Sequence, residues 1–300
     1  MFEGRFDIKL IDARTGHVKR HLQFKNLITN AGLDYLGGSG NPSSVRAWCG
    51  VGTGNTVPAV TDTALVTPLG TRVGISSGPT HTSGGSFLYW SQTVVYTFLE
   101  ANANGNLTEI GLFSSAAGPT MWTRQLLKDG AGVPTVIVKT AAEQLQVTYE
   151  MRLYSPTVDV VGTVAISGNN YDYTVRAAET DDSTAWGSSP LTAWNMGGAA
   201  SASAYETDVL GTTIGRPAGT PNGVDSSSVA AYGAGTYYRD HTYVYEPANA
   251  NFPSGIGSHL YGQPGSACAA CFQLKWVPKI PKTAIKRFTL TVRLNWGRYP

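Results

Sequence analysis

Residues 145–153 read LQVTYEMRL, and residues 288–296 read FTLTVRLNW. In the first stretch Leu145, Val147, Tyr149, Met151 and Leu153 alternate with Gln146, Thr148, Glu150 and Arg152. In the second, Phe288, Leu290, Val292, Leu294 and Trp296 alternate with Thr289, Thr291, Arg293 and Asn295. A period of two sustained this long specifies a strand with one face on a core and the other in water. The same pattern near the middle and the end of one chain suggests that a single plan was used twice.

Other pairs fall in the same order. VYTFLEANAN (95–104) answers TYVYEPANAN (242–251), a shift of 147 positions, each time ending in Ala-Asn-Ala-Asn. Ala47-Trp48 answers Ala193-Trp194 and Ile110-Gly111 answers Ile256-Gly257, both shifted by 146. Lys139-Thr140-Ala141 answers Lys282-Thr283-Ala284, a shift of 143. Collinear matches whose shift drifts only from 147 to 143 are the signature of a tandem duplication. The openings match more loosely. FDIKLID (6–12) with HVKRHLQF (17–24) reads as one hairpin, and VVGTVAI (160–166) with YDYTV (171–175) as another. Ser155-Pro156 interrupts strand character and sets the boundary.

The expected architecture is all-β: two tandem, internally duplicated β-sandwich domains, 1–156 and 157–300, with very little helix. Further strands are expected at 88–99, 107–113, 120–127 and 135–139, spaced as in a sandwich rather than in βαβ units. Thr29-Asn30 is placed to cap a short helix, AGLDYLG, ending at Gly37-Gly38, and Pro58 to start a helical turn through VTDTAL. Residues 196–236 are so rich in Gly, Ser and Ala that they read as long loops outside the core.

Composition narrows the function classes. Hydrophobic residues make up 42% and charged residues only 14%, which places the chain among globular proteins with a weakly charged surface. A formal charge of +2 argues against a nucleic-acid partner. No lysine lies between Lys139 and Lys275, while both ends are basic. Solvated termini account for this; an acidic neighbour in an assembly is the sharper alternative. The opening Met-Phe-Glu-Gly-Arg lacks a signal-peptide core and no apolar run approaches a membrane span, so cytoplasmic synthesis without membrane insertion is expected. Cys49, Cys268 and Cys271 are too few for a disulfide framework.

Three segments, KNLITNAGLDYLGG (25–38), VGTGNTVPAVTDTALVTPLG (51–70) and GNLTEIGLF (105–113), together resemble a family of structural proteins from the tail, baseplate or fibre-attachment region of tailed bacteriophages. The resemblance covers about the first 150 residues. The second half keeps a Trp, the Ala-Asn-Ala-Asn strand and the final strand but lacks the Thr-Asp-Thr-Ala-Leu segment. It implies a non-enzymatic, oligomeric virion component, assembled in the host cytoplasm and joined to other tail proteins. On physical grounds Asp62 is expected to accept backbone amides and fix the loop that begins at Gly52-Thr53-Gly54-Asn55, where glycine permits close chain approach.

Catalytic motifs do not assemble. Gly74-Ile75-Ser76-Ser77-Gly78 satisfies the nucleophile-elbow pattern, but that elbow opens a helix and a helix-hostile run containing His81 follows, so a loop is expected. Cys268-Ala-Ala-Cys271 has zinc-knuckle spacing, yet only Cys49, His241 and His259 could complete it, in no recognised pattern. Glu179, Asp181 and Asp182 read as a solvated turn rather than a glycosidase pair. No catalytic residue, metal or cofactor is therefore expected. The second half is rich in aromatic residues, Tyr171, Tyr173, Trp186, Trp194, Tyr205, Tyr232, Tyr237, Tyr238, Tyr243, Tyr245, Phe252 and Tyr261, among small polar ones. This is the composition of adaptable contact surfaces. Tyr243 and Tyr245 alternate as core residues, which leaves Tyr232, Tyr237 and Tyr238 as the candidate interface.

The expectation is a self-associating tail building block. A homotrimer or hexamer is favoured, because a trimer of two-domain chains presents six similar surfaces for joining six-fold tail parts to three-fold fibres. The alternative is a receptor-binding tail protein whose Tyr-rich half touches host surface glycan. A polysaccharide hydrolase is the third reading.

Overall fold

The computed structural model describes residues 1–38, 44–84, 89–178, 201–262 and 271–300. The fold is all-β, 53% strand and 5% helix, in several sheets, so the two-residue alternation rather than helical periodicity governs the packing. The first half holds β1 (Phe2–Asp12), β2 (Val18–Lys25), β3 (Leu27–Ile28), α1 (Asn30–Gly38), β4 (Trp48–Gly52), β5 (Pro68–Gly84) and β6 (Tyr89–Phe98). It continues with β7 (Gly105–Leu107), β8 (Glu109–Phe113), β9 (Met121–Leu126), β10 (Ile137–Lys139) and β11 (Glu143–Tyr154). These form a nine-stranded sheet, β2-β1-β11-β6-β5-β4-β8-β9-β3, with β7 and β10 paired separately. The second half holds β12 (Val160–Ile166), β13 (Asn169–Ala177), β14 (Ala202–Tyr205), β15 (Asn222–Gly223), β16 (Ser226–Val229), β17 (Tyr238–Tyr245), β18 (Ile256–Tyr261), β19 (Phe272–Ile280) and β20 (Phe288–Asn295). A six-stranded sheet, β12-β13-β19-β18-β14-β15, accompanies a three-stranded one, β16-β17-β20.

The alternating segments behave as their pattern dictates. On β11, Leu145, Val147, Tyr149, Met151 and Leu153 are all buried and their even-numbered neighbours are half-exposed. Strand β6 lies beside β11 with Phe98 opposite Leu145 and Tyr96 opposite Val147. Strand β17 lies beside β20 with Tyr245 opposite Phe288 and Tyr243 opposite Leu290. Shifting the first ladder by 147 on one strand and 143 on the other gives the second, pair for pair.

Both halves also turn a corner with one strand. Strand β5 pairs with β4 through Pro68–Gly74 and with β6 through Ile75–Gly84. In the second half β15 and β16 form that corner: Val224 N donates to Ala202 O, on the β14 side, and Asp225 N to Val244 O, on the β17 side.

Three local expectations need correction. The Gly74–Gly78 stretch lies inside β5, not in a loop; its glycines serve a bulged strand, with Gly78 at φ +101° where the register shifts. The run after Pro58 forms turns rather than helix, and Asn30 N donates to Val60 O there. Ala202–Tyr205, inside the stretch expected to be loop, is a buried strand because small side chains fit beneath the aromatic rings of the second core. Helix α1 forms as expected: Thr29 Oγ1 accepts from Gly32 N at 3.0 Å as an N-cap.

Two main cores result. The larger is built from β1, β6, β11, α1 and their neighbours; the second from Tyr171, Tyr243, Tyr245, Tyr261, Trp276, Phe288 and aliphatic residues around them. Trp296 crosses over. It joins the first core and donates Nε1–H to Leu33 O at 3.1 Å. Behind it, Phe2 N donates to Gly297 O and Tyr299 N to Phe2 O, laying residues 297–299 along the start of β1.

Candidate functional site

The loop between β4 and β5 is organised by two charged residues on inward-facing positions of the sheet. Glu109 on β8 sits opposite Gly52, and Arg124 on β9 sits opposite Gly111. Their side chains are 0% and 1% exposed, so neither charge is tolerable alone. Arg124 Nε donates to Glu109 Oε2 at 2.7 Å, Nη1 to Asp62 Oδ2 at 2.8 Å, and Nη2 to Thr56 O at 2.8 Å. The remaining carboxylate capacity of Glu109 takes Gly54 N and Thr67 N on Oε1, and Val66 N on Oε2. Burial opposes the charge on Arg124, but the hydrogen bonds it donates to Asp62 and Glu109 outweigh it and raise its pKa.

This arrangement explains the glycines. A Cβ on Gly52 or Gly54 would approach Glu109 Oε1 to 2.6 or 2.5 Å. Asp62 also accepts from Ala59 N at 2.9 Å. Gly52, Gly54 and Asp62 are thus brought together, while Asn55 is exposed in the same loop. Glu109 and Arg124 are the residues that motif reading missed. The available signal was a single charge inside each of two otherwise buried strands, EIGLF and MWTRQL.

The two Ala-Asn-Ala-Asn turns close around a lysine each. Lys139 Nζ donates to Leu99 O (3.0 Å), Glu100 O (3.2 Å) and Asn104 Oδ1 (2.8 Å). Lys282 Nζ donates to Glu246 O (2.8 Å), Pro247 O (3.4 Å) and Asn251 Oδ1 (3.0 Å), and also to Asn249 O. Adding 147 to Leu99, Glu100 and Asn104 and 143 to the lysine gives three of the acceptors of the second cage, whereas Asn249 O joins only the second cage and Thr140 O only the first. The third residue of each turn, Ala103 or Ala250, holds φ +56° or +52°. Burial lowers the pKa of both ammonium groups.

Two of the three candidate interface tyrosines, Tyr232 and Tyr237, meet the chain's own first half. Tyr232 OH donates to Asp34 Oδ1 at 2.6 Å, and its ring occupies the space a Cβ on Gly37 would need. Burial, followed by the Asp34 carboxylate, raises the Tyr232 pKa. Tyr237 is half-buried against the same core, and the Arg293 guanidinium lies 3.8 Å from the Tyr238 ring centre. Of the other second-half aromatics, Tyr171, Tyr205, Tyr243, Tyr245 and Tyr261 are buried. Trp186 and Trp194 lie outside the described residues.

The remaining motifs do not converge. Ser76 is on β5 and hydrogen-bonds Val95 O at 3.0 Å, and the backbone at His81 faces Gln92. Cys49 and Cys271 are buried, and His259 Nδ1 accepts from Trp276 Nε1 at 3.0 Å. Cys268, Glu179, Asp181 and Asp182 lie outside the described residues. Among the described residues no group of three or more His, Cys, Asp or Glu side chains is placed to hold a metal. None of the described helices is long and apolar enough to cross a membrane. A surface depression of about 360 Å³ is lined by Asp159, Val161, Thr174, Arg176, Asp208 and Lys275 among others, with Asp159 already engaged by Arg176 at 2.6 Å. Compared with family models, curated proteins and solved structures, the chain matches none.

Proposed function

We propose that the chain is a non-enzymatic structural component of a bacteriophage tail, in the baseplate, collar or fibre-attachment region. In this reading it consists of two tandem copies of one β-sandwich unit, self-associates as a trimer or hexamer, and joins other tail proteins within the virion. The duplication is supported by the paired lysine cages and the pair-for-pair registers of β6–β11 and β17–β20. Chance similarity of small residues would not reproduce a buried ammonium on the same three acceptors. The tail assignment rests on the three resembling segments, which meet in one place: α1 contacts the 51–70 loop through Asn30 N and Val60 O, and Glu109 holds that loop's backbone. A loop anchored at so many points offers a rigid platform for a neighbouring subunit.

The receptor-binding alternative drew on the second-half aromatics and is less supported, because five of those tyrosines are buried. Gold-labelled antibody against the chain, applied to purified phage particles, should decorate the tail. Particles without label, or release of reducing sugar from host glycan by the purified chain, would overturn the proposal.

A further inference from the structure

Equivalent strands in the two halves have unequal surroundings. Strand β11 has β6 on one side and β1 on the other, the latter along eleven residue pairs. Its counterpart β20 has β17 on one side and, among the described residues, no strand on the other. The inner face registers the difference. Val147, Tyr149 and Met151 are buried, whereas Leu290, Val292 and Leu294 are only half-buried.

The hairpin that opens each half accounts for the gap. In the first half β1 lies against β11 and β2 is outermost, but in the second β13 lies against β19, which leaves β12 as the outer strand of its sheet. Strand β12, VVGTVAI, carries no charge, and Val160 and Val161 are 54% and 71% exposed. The outer strand of the first half, β2, is instead studded with Lys19, Arg20, His21 and Lys25. Charged side chains protect a sheet edge from pairing with another chain, and an apolar, charge-free edge invites it.

We propose that β12 of a second copy completes the open edge of β20, antiparallel, in the place that β1 takes beside β11. The sense of the strands fits. Every ladder from β12 round to β20 is antiparallel, with β15 and β16 one continuous run, so β12 and β20 run in opposite directions within a chain, and a copy related by rotation about an axis along these strands brings its β12 antiparallel to β20. The register of the first half fits as well. Placing Val160 where Phe6 stands, and shifting β11 by 143, sets Val161 opposite Thr291 and Asp159 opposite Arg293. The corresponding first-half pair is Arg5 opposite Glu150, again of opposite charge with the signs exchanged. Asp159 and Arg293 already pair with Arg176 and Asp240, so the contact would form a row of alternating charges. Each contact leaves one donor edge and one acceptor edge unused, a head-to-tail geometry that forms a ring where the rotation between copies closes and a filament where it does not.

The inference rests on the tandem-copy reading and on self-association, and it is independent of where in a virion the chain resides. Its test uses the full chain. Wild-type protein should exceed the single-chain mass by light scattering. Val161→Lys with Thr163→Lys, both at exposed outward positions, should weaken association at least tenfold. A chain carrying both Val161→Cys and Thr291→Cys should form a ladder of disulfide-linked multimers on oxidation, above the wild-type background. A wild-type monomer, no new disulfide, or a disulfide closed within one chain would overturn the proposal. An oligomer that persists with the two lysines would leave self-association standing and remove this edge from it.

Discussion

Each half tucks a long loop against a sheet, and the two loops are held in different ways. Between β4 and β5 the loop backbone is gripped by Arg124, Glu109 and Asp62, all charged. Between β14 and β15 the buried part of the work passes to neutral groups, while the half-exposed Arg176 donates from Nη1 to Gly211 O at 3.0 Å. Gln273, fully buried on β19, donates to Ala177 O, Gly211 O and Thr212 O and accepts from Gly211 N at 2.7 Å. Ser258 on β18 donates to Thr207 O at 2.7 Å. A long loop tucked against a sheet needs partners for its buried backbone groups, and the charge of those partners is a secondary choice. The lysine cage, by contrast, is the same in both halves. It closes a turn of fixed shape, whereas the β4–β5 and β14–β15 loops differ in sequence.

The difference in charge sets the largest expected effect. Arg124→Met strands the buried Glu109 carboxylate and should cost about 3–5 kcal/mol in urea unfolding. Gln273→Met removes only neutral hydrogen bonds and should cost about 1–3 kcal/mol. Equal losses would dissolve the contrast. The cages sharpen the likeness: Lys139→Met and Lys282→Met should each lose about 2–3 kcal/mol, and a loss confined to one of them would break the equivalence.

Acid should separate the halves. Burial pushes the His259 pKa down to about 3 from an ordinary 6.5, and His241 is lowered by burial too. The unfolded chain therefore takes up the proton first, so the stability from a neutral His259 is complete above pH 6.5. It falls as pH drops towards 3, by about 1.4 kcal/mol per pH unit. His17 and His21 in the first half are exposed. Hydrogen-exchange protection factors at pH 5 should fall in the second half before the first, and His259→Asn, which keeps an acceptor for Trp276, should flatten the slope. The smallest effect concerns Ala103→Gly and Ala250→Gly. Relief of positive φ should offset the added freedom of the unfolded chain, giving about 0–1 kcal/mol of stabilisation with the same sign in both halves.

Much of this was legible in the sequence. The alternation of β11 and β20, the hairpin from β1 to β2 and the capped helix all follow from local patterns that the tertiary structure does not oppose. Strand β14 escaped because Ala202 and Ala204 look like loop residues; their burial depends on tyrosine and histidine rings distant in sequence. The middle of β5 escaped because glycine, read as punctuation, there shapes a bulge. At the site, Asp62 could be read from turn chemistry, whereas Glu109 and Arg124 occupy strand positions where a charge ordinarily faces water. Only the ladder registers, which set Arg124 opposite Gly111 and so diagonal to Glu109, reveal that the two meet.

Trp296 gives the first core a particular dependence on time. Its indole, with the strip formed by residues 297–299, fills a place prepared by Leu33 and Phe2, yet these residues leave the ribosome after every other contributor to that core. The nascent first half must therefore wait, with the places of Tyr232, Tyr237 and last of all Trp296 vacant, until translation has passed through the second.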